Sequence, residues 1–172
     1  AKNALTGEQM LEAVKQAAQL GFQSIGVTGG EPFLHPDLWT LLPTMADILP
    51  VIVLSNGTMF HRSQNQSKLT GLCHPNLQIQ ISIDSSTPEV HDRFRGEGSF
   101  RRAMQAIPLL RQYGIAVRIS STRSFDSENE AEEHARLMTE WATTFGLDAE
   151  DVVLRTMVQR GQAVNNDLGV DA

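Results

Sequence analysis

The 172-residue sequence holds a single cysteine, Cys73, which excludes an internal disulfide and any cysteine-rich metal site within the chain. Cys73 lies in Leu72-Cys73-His74-Pro75, between a helix end and a strand. It reads as a structural thiol or a bystander, since free cysteine commonly behaves as a small buried hydrophobe. No apolar run reaches the roughly 18 residues of a membrane span. No charged leader precedes a short apolar core in the manner of a secretion signal. The expectation is therefore a cytoplasmic protein with no membrane partner. Clustered Lys and Arg are also missing, and the formal net charge is −6. Nucleic acid is not an expected partner, because neutralising phosphates needs a concentrated basic surface. The five histidines, at 35, 61, 74, 91 and 134, show no HExxH pattern and no paired helical spacing, so nothing reads as a zinc site.

What remains is ordinary for a globular protein, with 41% hydrophobic and 20% charged residues in a length that suits one domain with a real core. Thr6-Gly7-Glu8-Gln9 has the form of a capping box, and Met10, Leu11, Val14, Ala17, Ala18 and Leu20 follow at helical spacing up to Gly21. Residues 24–28 then form a short β-branched run. The alternation continues: a helix over 37–49 with a kink or split expected at Pro43, a strand over 51–55, and a weak polar helix over 61–72. A strand over 77–84 precedes a helix capped by Ser99 and stopped by Gly114. A strand over 115–121, a long helix over 129–145 and a strand over 152–156 complete the series.

Helices alternating with short buried strands predict an α/β fold with a mainly parallel sheet, because parallel strands need crossover helices. The series opens on a helix, and right-handed βαβ units are the repeating block, so a strand is expected upstream. The chain starts at Ala1, which fits a segment taken from a longer protein. Residues 1–158 read as the core and 159–172 as a polar tail leading elsewhere.

Chemistry concentrates at strand ends. Thr28-Gly29-Gly30-Glu31-Pro32 follows the first strand, where α/β sheets bind ligands. The glycines allow unusual backbone angles and the close approach of a ligand, Pro32 stiffens the exit, and Glu31 places a carboxylate near an ammonium-bearing ligand. As an isolated dipeptide, Gly29-Gly30 reads sooner as a tight strand-to-helix turn with no ligand. Ser82 and Asp84 are two apart on a strand end and share a face. The following run, His91-Asp92-Arg93-Phe94-Arg95-Gly96-Glu97-Gly98-Ser99-Phe100, reads by itself as a charged loop leading to a helix.

In this order the segments resemble the radical S-adenosylmethionine (SAM) superfamily. Val27-Thr28-Gly29-Gly30-Glu31-Pro32 is similar to its GGEP motif, and Leu54-Ser55-Asn56-Gly57-Thr58 to its SNGT strand ending. Ser82-Ile83-Asp84, followed by His91-Asp92, Arg95-Gly96 and Gly98-Ser99-Phe100, resembles a stretch typical of the peptide- and protein-modifying branch, whose members often carry a SPASM-type cluster domain. Ser85 stands where a glycine usually follows the aspartate, and one extra residue precedes His91. The resemblance implies a partial (β/α)6 barrel of which this chain supplies the last five strands.

The same resemblance implies SAM as cofactor. Gly29, Gly30, Glu31 and Pro32 would lie at its amino group, Asn56 at the next strand end, Ser82 and Asp84 at the ribose and carboxylate region, Arg95 on the carboxylate and Leu154 near the adenine. An arginine suits a carboxylate through its planar donor fork. A 4Fe-4S cluster is also implied, but the CxxxCxxC motif that would hold it is absent, and its expected place is upstream of Ala1. An electron donor such as flavodoxin or ferredoxin and a small-molecule or peptide substrate complete the implied partners. The fragment alone is not expected to catalyse, since thiolates hold the cluster that delivers the electron. The competing readings are a cluster-free scaffold with the same barrel and an unrelated barrel enzyme such as an aldolase. Val158-Gln159-Arg160-Gly161-Gln162-Ala163 resembles the stretch that precedes a SPASM region. Ser55, Gln80, Arg118, Ser120, Thr122 and Arg155 are inward candidates for substrate, with Arg118 and Arg155 foremost because buried charge requires a partner or a ligand.

Overall fold

The structure, a computed structural model, describes residues 4–122 and 128–155. Five strands form one parallel sheet whose spatial order repeats the chain order. They are β1 (Ile25–Val27), β2 (Val51–Ser55), β3 (Leu77–Ser82), β4 (Ala116–Thr122) and β5 (Val152–Arg155). The helices are α1 (Gly7–Gln19), α2 (Leu38–Ala46), α3 (Ser63–Leu69), α4 (Pro88–Arg95), α5 (Ser99–Gln112) and α6 (Glu128–Thr144). Short 3-10 turns cover Pro32–Leu34, Thr70–Leu72 and Ala149–Asp151.

The strand period of two separates the two faces of the sheet. Val51, Val53, Leu77, Ile79, Ile81, Ile83, Val117 and Ile119 are buried in one hydrophobic core with Leu42, Ala103, Ile107, Leu110, Met138 and Ala142 from the helices. The opposite, open face carries Leu54, Gln80 and Arg118 in one register row and Ser82, Ser120 and Val153 in the row beyond it. The predicted α/β architecture with a parallel sheet holds, and the strand order is that of the expected partial barrel.

Several local expectations change. The helix through Pro43 is neither split nor ended, and Pro43 sits within α2. The charged run after Asp84 is not a loop, because Pro88 at the first turn starts α4, which carries His91 to Arg95. Ser99 does not cap α5. It is the first helical residue, after Gly98 at φ 70°, and its hydroxyl donates to Asp92. The capping box at Thr6 and Gln9 forms as expected. Cys73 is exposed rather than buried, with Sγ 3.4 Å from the Gly114 carbonyl. The residues beyond 155, including the expected tail and the run from Val158, lie outside the described residues.

Candidate functional site

The turn after β1 is built on aromatic packing. Phe33 is buried against Trp39 and Phe60, with ring centroids 4.7 and 4.8 Å away, and the Trp39 indole donates to the Phe33 carbonyl at 3.2 Å. This plug fixes the chain just past Gly29-Gly30-Glu31-Pro32. Glu31 then ties two strand ends together. Its Oε1 accepts from the Ser55 hydroxyl at 2.9 Å and from the Phe33 main-chain N–H at 3.2 Å, and its Oε2 accepts from the Asn56 N–H at 2.9 Å. Ser55 therefore faces the helices rather than inward, which corrects its place among the substrate candidates. The Asn56 side chain accepts from the Thr58 N–H and hydroxyl, closing the turn. Gly57 is required there: φ is 77°, and a Cβ would meet the Ala103 Cα at 3.0 Å.

Gly29 and Gly30 behave differently. Neither has a positive φ, so unusual backbone angles are not what they supply. A Cβ on either would meet nothing within 4 Å, so this main chain is bare toward open space. An apolar cavity of about 860 Å³ runs past it along the outer edge of β1, lined in part by Leu5, Met10, Val14, Ile25 and Val27. Among the described residues β1 pairs with β2 alone.

The end of β3 is held by α4. Asp84 and Arg95 form a two-pronged ion pair, Nε to one carboxylate oxygen and Nη2 to the other at 3.0 Å. That leaves Nη1 and one Nη2 hydrogen for another acceptor. His91 is buried, and its Nδ1 accepts from the Asp84 N–H at 3.1 Å, so the neutral ring carries its hydrogen on Nε2. Burial holds this imidazole below its usual pKa, and the Arg95 charge works in the same direction against Asp84 and Asp92. Asp92 reaches forward to α5, accepting from the N–H groups of Gly98 at 2.6 Å and Phe100 at 2.8 Å and from the Ser99 hydroxyl. The Phe100 bond leads in holding the Asp92 carboxyl below its usual range. The helix cap expected of Ser99 is thus supplied by a residue one helix earlier. Sequence reading missed both His91 and Asp92 as builders, although an acid six residues before a Gly-Ser-Phe helix start is a findable signal.

The parallel arrangement brings Gly29, Gly30, Glu31, Pro32, Asn56, Ser82, Asp84 and Arg95 to one end of the sheet, the carboxyl ends of β1 to β3. Leu154 is level with Ser121, whose hydroxyl lies 2.7 Å from His134 of α6. Strand alternation therefore puts the Leu154 side chain, 44% exposed, on the helix side and not beside Ser82. Arg118 lies on the open face next to Gln80. Arg155 pairs in register with Thr122, and its side chain lies outside the described residues.

The residues present fit SAM. Bare glycine main chain and a carboxylate can face its ammonium, and a guanidinium with spare donors can face its carboxylate. They do not fit an iron–sulfur cluster. The one thiol, Cys73, lies before β3, at the opposite end of the sheet from Gly29, and no group of three or more His, Cys, Asp or Glu among the described residues suits a metal.

Comparison with known proteins agrees with this geometry. The sequence profile of the Radical SAM superfamily matches residues 1–138, and the chain belongs to that family. It is 34% identical over 120 residues to the antilisterial bacteriocin subtilosin biosynthesis protein AlbA of Bacillus subtilis, covering 66% of this chain and 26% of AlbA. It is 28% identical over 142 residues to the mycofactocin maturase MftC of Mycobacterium tuberculosis, covering 81% and 36%. The fold resembles Streptococcus suis SuiB with a TM-score of 0.73 at 14% identity, over 92% of this chain and 35% of SuiB. SuiB structures bound to SAM and to the precursor peptide SuiA match at 0.69 and 0.70. The chain thus spans between a quarter and about a third of the length of these relatives. No helix among the described residues is long and apolar enough to cross a membrane.

Proposed function

We propose that this chain is the SAM-binding part of a radical SAM enzyme that reductively cleaves SAM to a 5′-deoxyadenosyl radical and abstracts hydrogen from a peptide or protein. The carrying observation is the bare main chain of Gly29 and Gly30 at the same end of the sheet as Ser82, Asp84 and Arg95. In this reading the carbonyls around Gly29–Gly30 and the Glu31 carboxylate receive the SAM ammonium, with Pro32 fixing their exit. Asn56 closes the neighbouring strand end. Ser82 and Asp84 meet the ribose and carboxylate region, and the free edge of Arg95 takes the carboxylate. At β5 the main chain of Leu154, rather than its side chain, is the contact offered to adenine.

A 4Fe-4S cluster would supply the electron, delivered by a donor such as flavodoxin or ferredoxin, and its thiolates are not in this chain. The isolated chain is accordingly an SAM binder and not a catalyst. The apolar cavity along the free edge of β1 supports the expected upstream strand, since a strand seated there ends beside Gly29 and Gly30. Peptide-modifying relatives support the substrate class.

The test has two parts. SAM titrated into this chain should bind, and Ser82→Ala and Arg95→Gln should each weaken it at least tenfold. A polypeptide joining this chain to a three-cysteine loop, reconstituted without oxygen and given dithionite, should yield 5′-deoxyadenosine. Binding without that product would favour a cluster-free scaffold, and no binding at all would overturn the proposal.

A further inference from the structure

Arg118 is a partly buried side chain, and the described residues leave one of its polar atoms unpaired. It projects from the middle of β4 onto the open face, in the same register row as Leu54 and Gln80. Its Nε is buried and has no hydrogen-bond partner among the described residues. Gln80, only 2% exposed, stands beside it. Burying a guanidinium N–H away from water and leaving it unpaired costs free energy, which a ligand can return. Arginine carries donors only, and the fork of Nε and Nη matches a planar acceptor with two oxygens. The Gln80 amide, which both donates and accepts, can turn its NH2 group to the same side. A group that accepts everywhere and donates nowhere answers this set, and an ionised carboxylate is such a group.

The row in question lies two residues, roughly 7 Å, before the Ser82 row along the strands. It is therefore deeper in the open face than the strand-end residues assigned to SAM. We propose that Arg118 and Gln80 form a subsite for a carboxylate of the peptide substrate, carried by an acidic side chain or by the chain terminus. This rests on the proposed function, with its peptide substrate. The protein as a whole is acidic, at −6, so an acidic peptide needs a local reason to approach, and Arg118 provides one.

The Nε–H resonance of Arg118 gives a direct readout in the chain as it stands. N-acetyl-glutamate N-methylamide should shift this signal and saturate, whereas the isosteric glutamine compound should bind at least tenfold more weakly. Arg118→Gln should remove the preference, and Arg118→Lys should restore part of it, since the charge returns without the fork. Equal binding of the two compounds to the native chain overturns the proposal without any variant having to fold. SAM and 5′-methylthioadenosine form the second arm. If SAM moves the Arg118 signal and methylthioadenosine does not, Arg118 serves the SAM carboxylate and the proposal fails. If SAM leaves the Gly30 and Ser82 amides unmoved, the SAM reading fails separately, and the glutamate arm still decides the subsite.

Discussion

Ile79 and Gln80 are neighbours on β3 and almost equally buried, at 0% and 2%, yet they keep opposite company. Ile79 joins a closed apolar core under the helices. Gln80 lies on the other face, beside an arginine whose Nε has no partner among the described residues. The same division runs through the polar groups. At the joint of α4 and α5, His91 and Asp92 are spent on main-chain N–H groups and the Ser99 hydroxyl, and Asp84 holds Arg95 so that only the outer edge of the guanidinium stays open. Around Gly29, Gly30 and Arg118, polar groups are buried or bare and still open. Satisfied polar groups hold a frame, and unsatisfied ones mark where something else is to bind.

The comparison can be broken most forcefully at Ile79. Ile79→Ala removes a fully buried side chain from the helix face and should cost about 2–5 kcal/mol in urea unfolding. A loss below about 1 kcal/mol would mean that this face is not the closed one. A middle-sized effect is expected at His91. Its folded-state pKa lies below the unfolded value of about 6.5, so the unfolded chain takes up the proton first as pH falls. Above pH 6.5 both states are neutral and this residue adds no pH dependence. Below it, stability should decline by at most about 1.4 kcal/mol per pH unit until the folded ring protonates as well. His91→Asn, which can still accept the Asp84 N–H, should flatten that part of the profile, and an unchanged slope would remove His91 from the frame. The smallest effect is expected next to Ile79. Gln80→Leu should leave stability within about 1 kcal/mol of the native chain, because no hydrogen bond of its amide to another described residue is lost and the leucine buries apolar area in its place. A large loss there would show that the open face is structurally committed after all.

Much of this division is legible in the residues alone. The helical spacing of Met10, Leu11 and Val14, the apolar run 51–53 and the turn at Asn56-Gly57 each carry their structure locally, and they appear where expected. Ser82 and Asp84 follow from the strand period. What was not legible depends on contacts between segments. Ser99 is an ordinary capping residue by type, but Asp92 arrives from the preceding helix with a charged acceptor and takes the N–H groups first. Pro43 would break a helix on its own, yet α2 is pressed against the core through Leu38, Leu42 and Met45 and continues past it. Leu154 looks like a strand-end contact until register with Ser121 assigns its face. Gly29 and Gly30 invite a dihedral explanation, whereas the space in front of them is what distinguishes them.

The agreement between strand order and chain order has a consequence for synthesis. Among the described residues each strand pairs only with its predecessor and its successor. A chain emerging from the ribosome therefore never has to reserve a gap for a strand still to come. Every newly released β/α unit finds its docking edge already exposed and becomes the edge for the next. Assembly by accretion in this way means that no strand has to be inserted between two that are already paired.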